Sequence, residues 1–154
     1  LTAADDAALA SIIRTSLEQM RLNLPGTAYS DPELDHLSAY YAQEPKKRTY
    51  FVALDDAGQV VGGVGAAEFA PIPNCAEIQK LYLSDAVRGK GYSKELMHLA
   101  ETWSREAGYR QLYLETHSNL QIAIKLYKKL GFTEIERPKE VLHSTMDHFY
   151  IKHL

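Results

Sequence analysis

The sequence predicts one mixed α/β domain, and three observations support this prediction. Segments that alternate polar and apolar residues, as strands do, are interspersed with segments whose apolar residues recur every three or four positions, as in helices. The length of 154 residues suits one domain with one core. No internal repeat, low-complexity tract or long linker divides the chain. The predicted order of elements, ααβββαβαββ, is that of an α/β domain.

The first part of the chain reads as two helices followed by a β-hairpin. Apolar residues share one face of a helix over 5–20, and Pro32 suits the first turn of a second helix that ends near Tyr41. Residues 48–69 read as two strands joined by a hairpin turn. Within the second strand, three glycines predict a bulge or the close approach of a ligand or of backbone: Gly62, Gly63 and Gly65.

The second part alternates strands with helices. A strand over 76–84 leads through a glycine-rich turn into a helix over 93–107, and the later elements are a strand over 110–116, a helix over 118–132 and strands over 133–137 and 147–154. The last strand ends the chain, and we expect it to form an exposed edge of the sheet. On the two helices we expect Leu96, Leu99, Ala100 and Trp103 to face inward and Asn119 to act as a cap.

Composition excludes several classes of protein. The net charge of −3 gives no field that would attract nucleic acid or an anionic membrane, so neither is expected as a partner. No apolar run approaches the roughly 20 residues that span a bilayer. The lone cysteine, Cys75, excludes an internal disulfide, and we expect a cytoplasmic protein. The six histidines show no metal-ligand spacing, so no metal site is expected.

The stretch VRGKGYS (87–93) joins a predicted strand to a predicted helix. Gly89 and Gly91 allow left-handed backbone and the close approach of an anion, and Arg88, Lys90 and Lys94 add positive charge. Backbone N–H groups at the start of a helix bind phosphates. Taken alone, the stretch reads equally well as a plain turn with solvated lysines.

The context of this turn resembles the GNAT superfamily of N-acetyltransferases. Arg88 to Ser93 match the family's acyl-CoA loop, [QR]-x-x-G-x-[GA], with Ser93 in place of Gly or Ala. The family's later pattern, N-x-x-x-A-x-x-x-Y-x-x-x-G-F, is met by Asn119, Ala123, Tyr127, Gly131 and Phe132. The resemblance implies one acyl-CoA N-acyltransferase domain over 1–154. Its mixed sheet would have about six to seven strands flanked by helices, and would splay between the family's fourth and fifth strands.

The resemblance also implies how the cosubstrate, acetyl-CoA, is held. The pantetheine arm would lie between strands 76–84 and 110–116, within a cofactor-binding core over 76–132. Residues 1–47 would form the variable helical region that receives the acceptor. The implied contacts are the backbone of Leu81, Tyr82 and Leu83 for the arm, the N–H groups of Arg88, Gly89, Lys90, Gly91, Tyr92 and Ser93 for the pyrophosphate, Asn119 for the arm, and Lys129 or Lys128 for the nucleotide phosphates.

Acetyl transfer to an amine needs a base and an acid. Most alkylamines are protonated at neutral pH, since their pKa is about 10.4, so a carboxylate must remove a proton directly or through water. Glu77 is the candidate, because some family members carry their base near the start of this strand; Glu115 competes with it. Strand alternation puts Glu77, Gln79, Leu81 and Leu83 on one face. Tyr127 resembles the family's general acid, which protonates the leaving thiolate, although it also lies on an apolar stripe.

Other residues carry weaker expectations. Cys75 reads as a packing residue, and His117 either contacts the ligands or lies in a surface loop. Tyr29, Tyr40 and Tyr41 either roof the acceptor site or belong to the core.

The predicted function is transfer of an acetyl group from acetyl-CoA to a primary amine, by a monomer or a homodimer. The acceptor is a small molecule or a peptide. One alternative is a non-catalytic domain that senses acyl-CoA. Another is a phosphate- or nucleotide-binding protein with an unrelated turn, which leaves the Asn119-to-Phe132 pattern unexplained.

Overall fold

Four helices and six strands follow the predicted order in the computed structural model, which describes all residues, 1–154. The helices are α1 (Asp6–Gln19), α2 (Leu37–Ala42), α3 (Tyr92–Glu106) and α4 (Gln121–Lys129), and the strands are β1 (Arg48–Leu54), β2 (Val60–Glu68), β3 (Cys75–Leu83), β4 (Gln111–Thr116), β5 (Thr133–Ile135) and β6 (His148–His153). No helix combines the length and the apolar character that crossing a bilayer requires.

The strands form one sheet in the order β1-β2-β3-β4-β6-β5, and only β3 and β4 pair in parallel. The expectation that the C-terminal strand forms an exposed edge is wrong. β6 pairs along the whole of β4 on one side and with β5 on the other, so the edges are β1 and β5. The pairing of β6 with β4 joins segments far apart in the chain, and strand pattern alone does not reveal it.

A fork opens in the middle of the sheet. β3 and β4 pair only from Cys75 to Glu77, opposite Gln111 to Tyr113. Beyond that point β3 stays with β2 and β4 stays with β6, so the strands diverge. We call the space between Ile78–Leu83 and Leu114–Thr116 the fork. The splay thus lies between the two segments expected to form it, which are the third and fourth strands of the residues that the structure describes, not the fourth and fifth.

The core lies on both faces of the sheet. α3 and α4 cover one face, where Leu96, Met97 and Ala100 pack with Ile124 and Tyr127. α1 and α2 cover the other face, which we call the α1–α2 face.

Two details of α3 and α4 differ from expectation. Leu99 is 45% exposed, because the buried stripe of α3 runs through positions 96, 97, 100 and 104 instead. Asn119 does not cap α4: Leu120 takes the cap position, and the Asn119 side chain donates a hydrogen bond to the Met20 carbonyl, 2.9 Å away.

The second predicted helix is also divided. A 3-10 turn over Leu34–His36 precedes α2, because the backbone at His36 is not helical (φ −139°, ψ 43°).

Candidate active site

A β-bulge in β3 reshapes the strand that borders the fork. Gly63 pairs with Tyr82 and Gly65 with Gln79, so the single residue Val64 faces both Lys80 and Leu81. Lys80 adopts left-handed backbone (φ 49°), as bulged residues do. The expectation of a bulge or of close backbone approach at the three glycines is confirmed: Gly63 and Gly65 lie opposite the bulge of β3, and a Cβ on Gly62 would meet the Tyr82 carbonyl oxygen.

The bulge also shifts which side chains share a face. Glu77 and Gln79 point to the α1–α2 face, whereas Leu81 and Leu83 pack with Ile78 on the opposite face. Simple alternation therefore fails for Leu81 and Leu83, because the extra residue reverses the side-chain direction after Gln79.

Glu77 lies at the vertex of the fork. It is the last residue of β3 that pairs with β4. Gln79 Nε2 donates a hydrogen bond of 2.8 Å to Glu77 Oε2, and the Tyr41 hydroxyl donates one of 2.8 Å to Gln79 Oε1. The carboxylate is therefore held from one side by an ordered chain of two hydrogen bonds.

The environment of Glu77 makes its carboxyl a moderate base. Its pKa is raised to about 7: burial is the largest cause and the nearby charge of Glu115 adds to the rise, while the Gln79 hydrogen bond opposes it. His143 and Lys80 also lower it. A carboxyl that titrates near neutral pH is suited to accept a proton at physiological pH.

Charged side chains form a continuous cluster on the α1–α2 face beside Glu77. Lys80 Nζ lies 2.7 Å from Asp31 Oδ2 and 3.1 Å from Glu33 Oε1. His143 bridges two carboxylates: its Nε2 lies 2.8 Å from Asp31 Oδ1, and its Nδ1 lies 3.0 Å from Glu115 Oε1. We call these five residues the charge cluster. Burial alone would lower the pKa of His143, but its hydrogen bonds to Asp31 and Glu115 outweigh burial and raise the pKa to about 10.

Sequence reasoning missed the charge cluster. Its members come from four segments that are distant in the chain, so no local pattern shows that they meet. The cluster explains why Lys80 is buried within a strand: burial would lower its pKa, but Asp31 and Glu33 outweigh this and raise it.

Glu115, the competing candidate base, is tied to its neighbours. Its Oε2 accepts a hydrogen bond from the Tyr113 hydroxyl at 2.9 Å, and its Oε1 lies 3.0 Å from His143 Nδ1. The Glu115 side chain is 6% exposed. One Glu115 oxygen thus accepts a hydrogen bond and the other is ion-paired with His143, whereas Glu77 Oε1 has neither kind of partner in the protein. The geometry therefore favours Glu77 over Glu115.

Tyr127 lies in the core on the face opposite the charge cluster. Its ring packs near Phe132, which directly precedes β5, and near Tyr150 of β6. Burial raises the pKa of its hydroxyl, so the phenol is protonated at neutral pH and retains a proton to donate. The pKa of Tyr82, in β3 at the fork, is raised by burial and, to a smaller extent, by the charge that Tyr127 would carry when ionised.

The glycine turn presents free backbone donors. The N–H groups of Gly89, Gly91, Tyr92 and Ser93 have no acceptor in the protein, while those of Arg88 and Lys90 close turns onto Asp85 and Val87. Both glycines adopt left-handed backbone, and a Cβ built on either meets nothing within 4 Å. Open space thus lies against free N–H groups at the start of the 15-residue helix α3, which suits a pyrophosphate.

The side chains of two other predicted contact residues, Arg88 and Asn119, already have partners within the protein. The Arg88 guanidinium is paired with Asp85 at 2.6 Å and donates to Ser16. Asn119 is exposed and bound to Met20. Lys129 is the last residue of α4, two positions before Gly131.

The remaining candidates lie outside the site or in its lining. Cys75 is buried, and burial raises the pKa of its thiol to about 12, so it is a packing residue. The Nε2 atom of His117 lies 3.8 Å from Oδ2 of Asp147, so this histidine faces a carboxylate of the same chain. Among the three tyrosines, Tyr29 donates to Glu18 and Tyr40 stacks under Arg48; only Tyr41 reaches the site.

Comparison with known proteins identifies the family. The model of the acetyltransferase (GNAT) family matches residues 15–132. The uncharacterized N-acetyltransferase YjgM of Escherichia coli is 38% identical over 138 residues, which cover 88% of this chain and 81% of the relative. The chain therefore belongs to the GNAT family of acetyltransferases. Its class is that of an acetyl-CoA-dependent N-acetyltransferase.

Solved structures share the fold. A GNAT-family acetyltransferase of Staphylococcus aureus matches with a TM-score of 0.86 at 17% identity, covering 99% of this chain and 95% of that one. A phosphinothricin acetyltransferase of Sinorhizobium meliloti, solved in complex with acetyl-CoA, matches with a TM-score of 0.77 at 24% identity, covering 100% and 85%.

Proposed function

We propose that this enzyme transfers the acetyl group of acetyl-CoA directly to a primary amine, with Glu77 as the base and Tyr127 as the acid. The observation that carries the proposal is the position of Glu77: a carboxyl whose pKa is about 7 stands at the vertex of the fork. The whole chain, 1–154, acts as one domain in this proposal.

The chemistry proceeds in one transfer. The amine nitrogen attacks the thioester carbonyl carbon as its proton passes to Glu77, directly or through water. The carbon–sulfur bond then breaks, and Tyr127 gives its hydroxyl proton to the departing thiolate. The products are the N-acetylated acceptor and free CoA, and exchange with water restores both side chains. Backbone N–H groups at the Lys80–Leu81 bulge would stabilise the oxyanion.

The cosubstrate would lie in the fork. Tyr82 and Leu83 pair with β2, and Leu81 lies at the bulge. None of the three pairs with β4, so their other backbone edge is open to the pantetheine arm. The free N–H groups of Gly89, Gly91, Tyr92 and Ser93 would hold the pyrophosphate. Lys129, in the last turn of α4, is the residue proposed to contact the nucleotide phosphates.

The acceptor would reach Glu77 from the α1–α2 face, beneath residues 1–47. Asp31, Glu33 and Tyr41 from this region lie around Glu77 and Lys80. The proposed acceptor is the amine of a small molecule or a peptide. The assembly is a monomer or a homodimer, and the buried free thiol of Cys75 is in keeping with a cytoplasmic enzyme.

The test begins with binding. Thermal unfolding is followed with acetyl-CoA and, separately, with adenosine diphosphate. A ligand that binds only the folded state stabilises it by about 2.7 kcal/mol at 100 times its Kd. We expect acetyl-CoA to raise the melting temperature much more than adenosine diphosphate does. Acetyl-CoA would contact both the fork, through its pantetheine arm, and the glycine turn, through its pyrophosphate, whereas the nucleotide would contact only the turn.

The second step is turnover. Release of CoA thiol is measured with a panel of primary amines, and an accepted amine should release one thiol per acetyl group transferred. No stabilisation at saturating acetyl-CoA would contradict the proposal. Stabilisation with no turnover on any amine would favour the alternative function, a non-catalytic acyl-CoA sensor.

A further inference from the structure

We propose that Tyr41 and Gln79 are positioning residues for Glu77: the Tyr41 hydroxyl fixes the orientation of the Gln79 amide, which in turn holds the Glu77 carboxylate ionised on the α1–α2 face, at the vertex of the fork. This inference rests on the proposed role of Glu77 as the base. It adds two residues that no sequence motif marks.

The direction of the two hydrogen bonds carries the inference. A primary amide has an accepting oxygen and a donating nitrogen, and only the nitrogen can bind a carboxylate. The Tyr41 hydroxyl lies 2.8 Å from Gln79 Oε1, and Gln79 Nε2 lies 2.8 Å from Glu77 Oε2. Because the hydroxyl donates to the oxygen end, the nitrogen end faces Glu77. Without that hydroxyl, the amide is free to turn its oxygen toward the carboxylate.

The fold makes room for the Tyr41 hydroxyl. A Cβ built on Gly65 in β2 would lie 2.2 Å from the Tyr41 hydroxyl oxygen, so the oxygen occupies the space that a side chain at position 65 would take. The Tyr41 ring is 4% exposed and packs on Tyr50, with centroids 5.2 Å apart. Three elements, α2, β2 and β3, thus converge to place one hydroxyl against Gln79.

The pair acts against forces that favour neutral Glu77. Burial and the charge of Glu115 disfavour the carboxylate, whereas Gln79, His143 and Lys80 favour it. Tyr41, Cys75 and Tyr113 also face Glu77 and are uncharged at neutral pH. Loss of the Gln79 hydrogen bond removes the largest single contribution that favours the base form.

The experiment compares Tyr41→Phe and Gln79→Leu with the wild type. Tyr109→Phe is the matched control, because its hydroxyl also makes one hydrogen bond, to the Lys47 carbonyl, at a site remote from the fork. The first readout is titration of the Glu77 side-chain carboxyl by carbon-13 NMR, assigned with Glu77→Gln. It requires no knowledge of the acceptor. The second readout is the pH profile of kcat/KM with an accepted amine.

We expect both variants to raise the Glu77 pKa and the acidic limb of the profile by about 0.5–1 pH unit, as loss of one hydrogen bond to a charged group predicts. The KM for acetyl-CoA and the activity near pH 9 should change little, and Tyr109→Phe should shift neither readout. An unchanged Glu77 pKa in both variants, or a loss of activity that is equal at every pH, would overturn the positioning role.

Glu77→Gln separates the two levels of the proposal. If it abolishes turnover while Tyr41→Phe leaves the titration unchanged, the base stands and the positioning pair fails. If Glu77→Gln retains full turnover, Glu77 is not the base, and the positioning inference fails with it.

Discussion

Glu77 pairs with Tyr113 in the last step of the β3–β4 ladder, so the proposed base stands where the two strands part. In the proposed mechanism, its carboxyl would face the amine acceptor on the α1–α2 face, and the fork beyond it would hold the thioester. Because Glu77 stands at the vertex of the fork, it would lie next to both the amine and acetyl-CoA.

The pH dependence of the reaction should show Glu77 acting as a base. Its pKa of about 7 lies above the ordinary value of 4.5, and only the ionised form accepts a proton. We therefore expect kcat/KM to rise tenfold per pH unit below about pH 7 and to level off above it. A profile that stays flat from pH 5 to pH 9 would contradict this assignment.

Glu77→Gln should stabilise the fold while it removes activity. A folded-state pKa above the unfolded value means that ionised Glu77 weakens the fold, and this penalty develops between pH 4.5 and about 7 and is constant above. We expect the variant to be about 1–3 kcal/mol more stable than the wild type at pH 8 and nearly equal at pH 4. Chemical denaturation at the two pH values measures this. A variant that is less stable than the wild type at pH 8 would show that ionised Glu77 does not weaken the fold.

Tyr127→Phe distinguishes an enzyme from a sensor. The hydroxyl makes no hydrogen bond within the protein, so its removal should change the free energy of unfolding by less than about 1 kcal/mol. We expect kcat to fall by about 10²-fold while acetyl-CoA still raises the melting temperature. Full turnover by this variant would exclude Tyr127 as the acid.

Gly89→Ala and Gly58→Ala form a matched pair that tests the glycine turn. Both glycines have nearly the same left-handed backbone (φ 76° and 77°) and open space around them, but Gly58 lies in the β1–β2 hairpin. Each change should cost about 1 kcal/mol of stability. Only Gly89→Ala should weaken acetyl-CoA binding, by at least about tenfold, because strained backbone turns the N–H groups away from the pyrophosphate. Calorimetry measures the affinity; equal affinities for both variants would count against the turn.

His143→Ala should destabilise the protein, and the loss should shrink at high pH. The His143 pKa is raised from 6.5 to about 10, so its contribution is complete below pH 6.5 and disappears as the pH rises toward 10. Near pH 6 we expect a loss of about 2–4 kcal/mol, because Asp31 and Glu115 are left with less compensating charge. The exposed His98 on α3 provides the control, His98→Ala, which should change stability little. A loss that does not vary from pH 6 to pH 10 would contradict the bridging role.

The local signals in the sequence predicted most of the elements. Hydrophobic periodicity and turn residues placed the β1–β2 hairpin, α1 and α3 within a residue or two of their observed bounds. The Arg88-to-Ser93 loop and the Asn119-to-Phe132 pattern led to the right family, because the residues of each motif lie close together in the chain. The predictions were wrong where a contact with a distant segment replaced a local one. The Asn119 side chain, for example, donates a hydrogen bond to the Met20 carbonyl instead of capping α4.

The sequence by itself determined the class of fold, the family and the glycine turn, since each depends on neighbours within one element. Only the tertiary structure decided that β6 lies inside the sheet and that Tyr41, Asp31 and His143 surround Glu77. It also decided that the bulge at Lys80 reverses the faces to which the following side chains point. The physical reason is that the pKa and orientation of a buried carboxylate depend on charges and hydrogen bonds brought together from segments up to 112 residues apart in the chain.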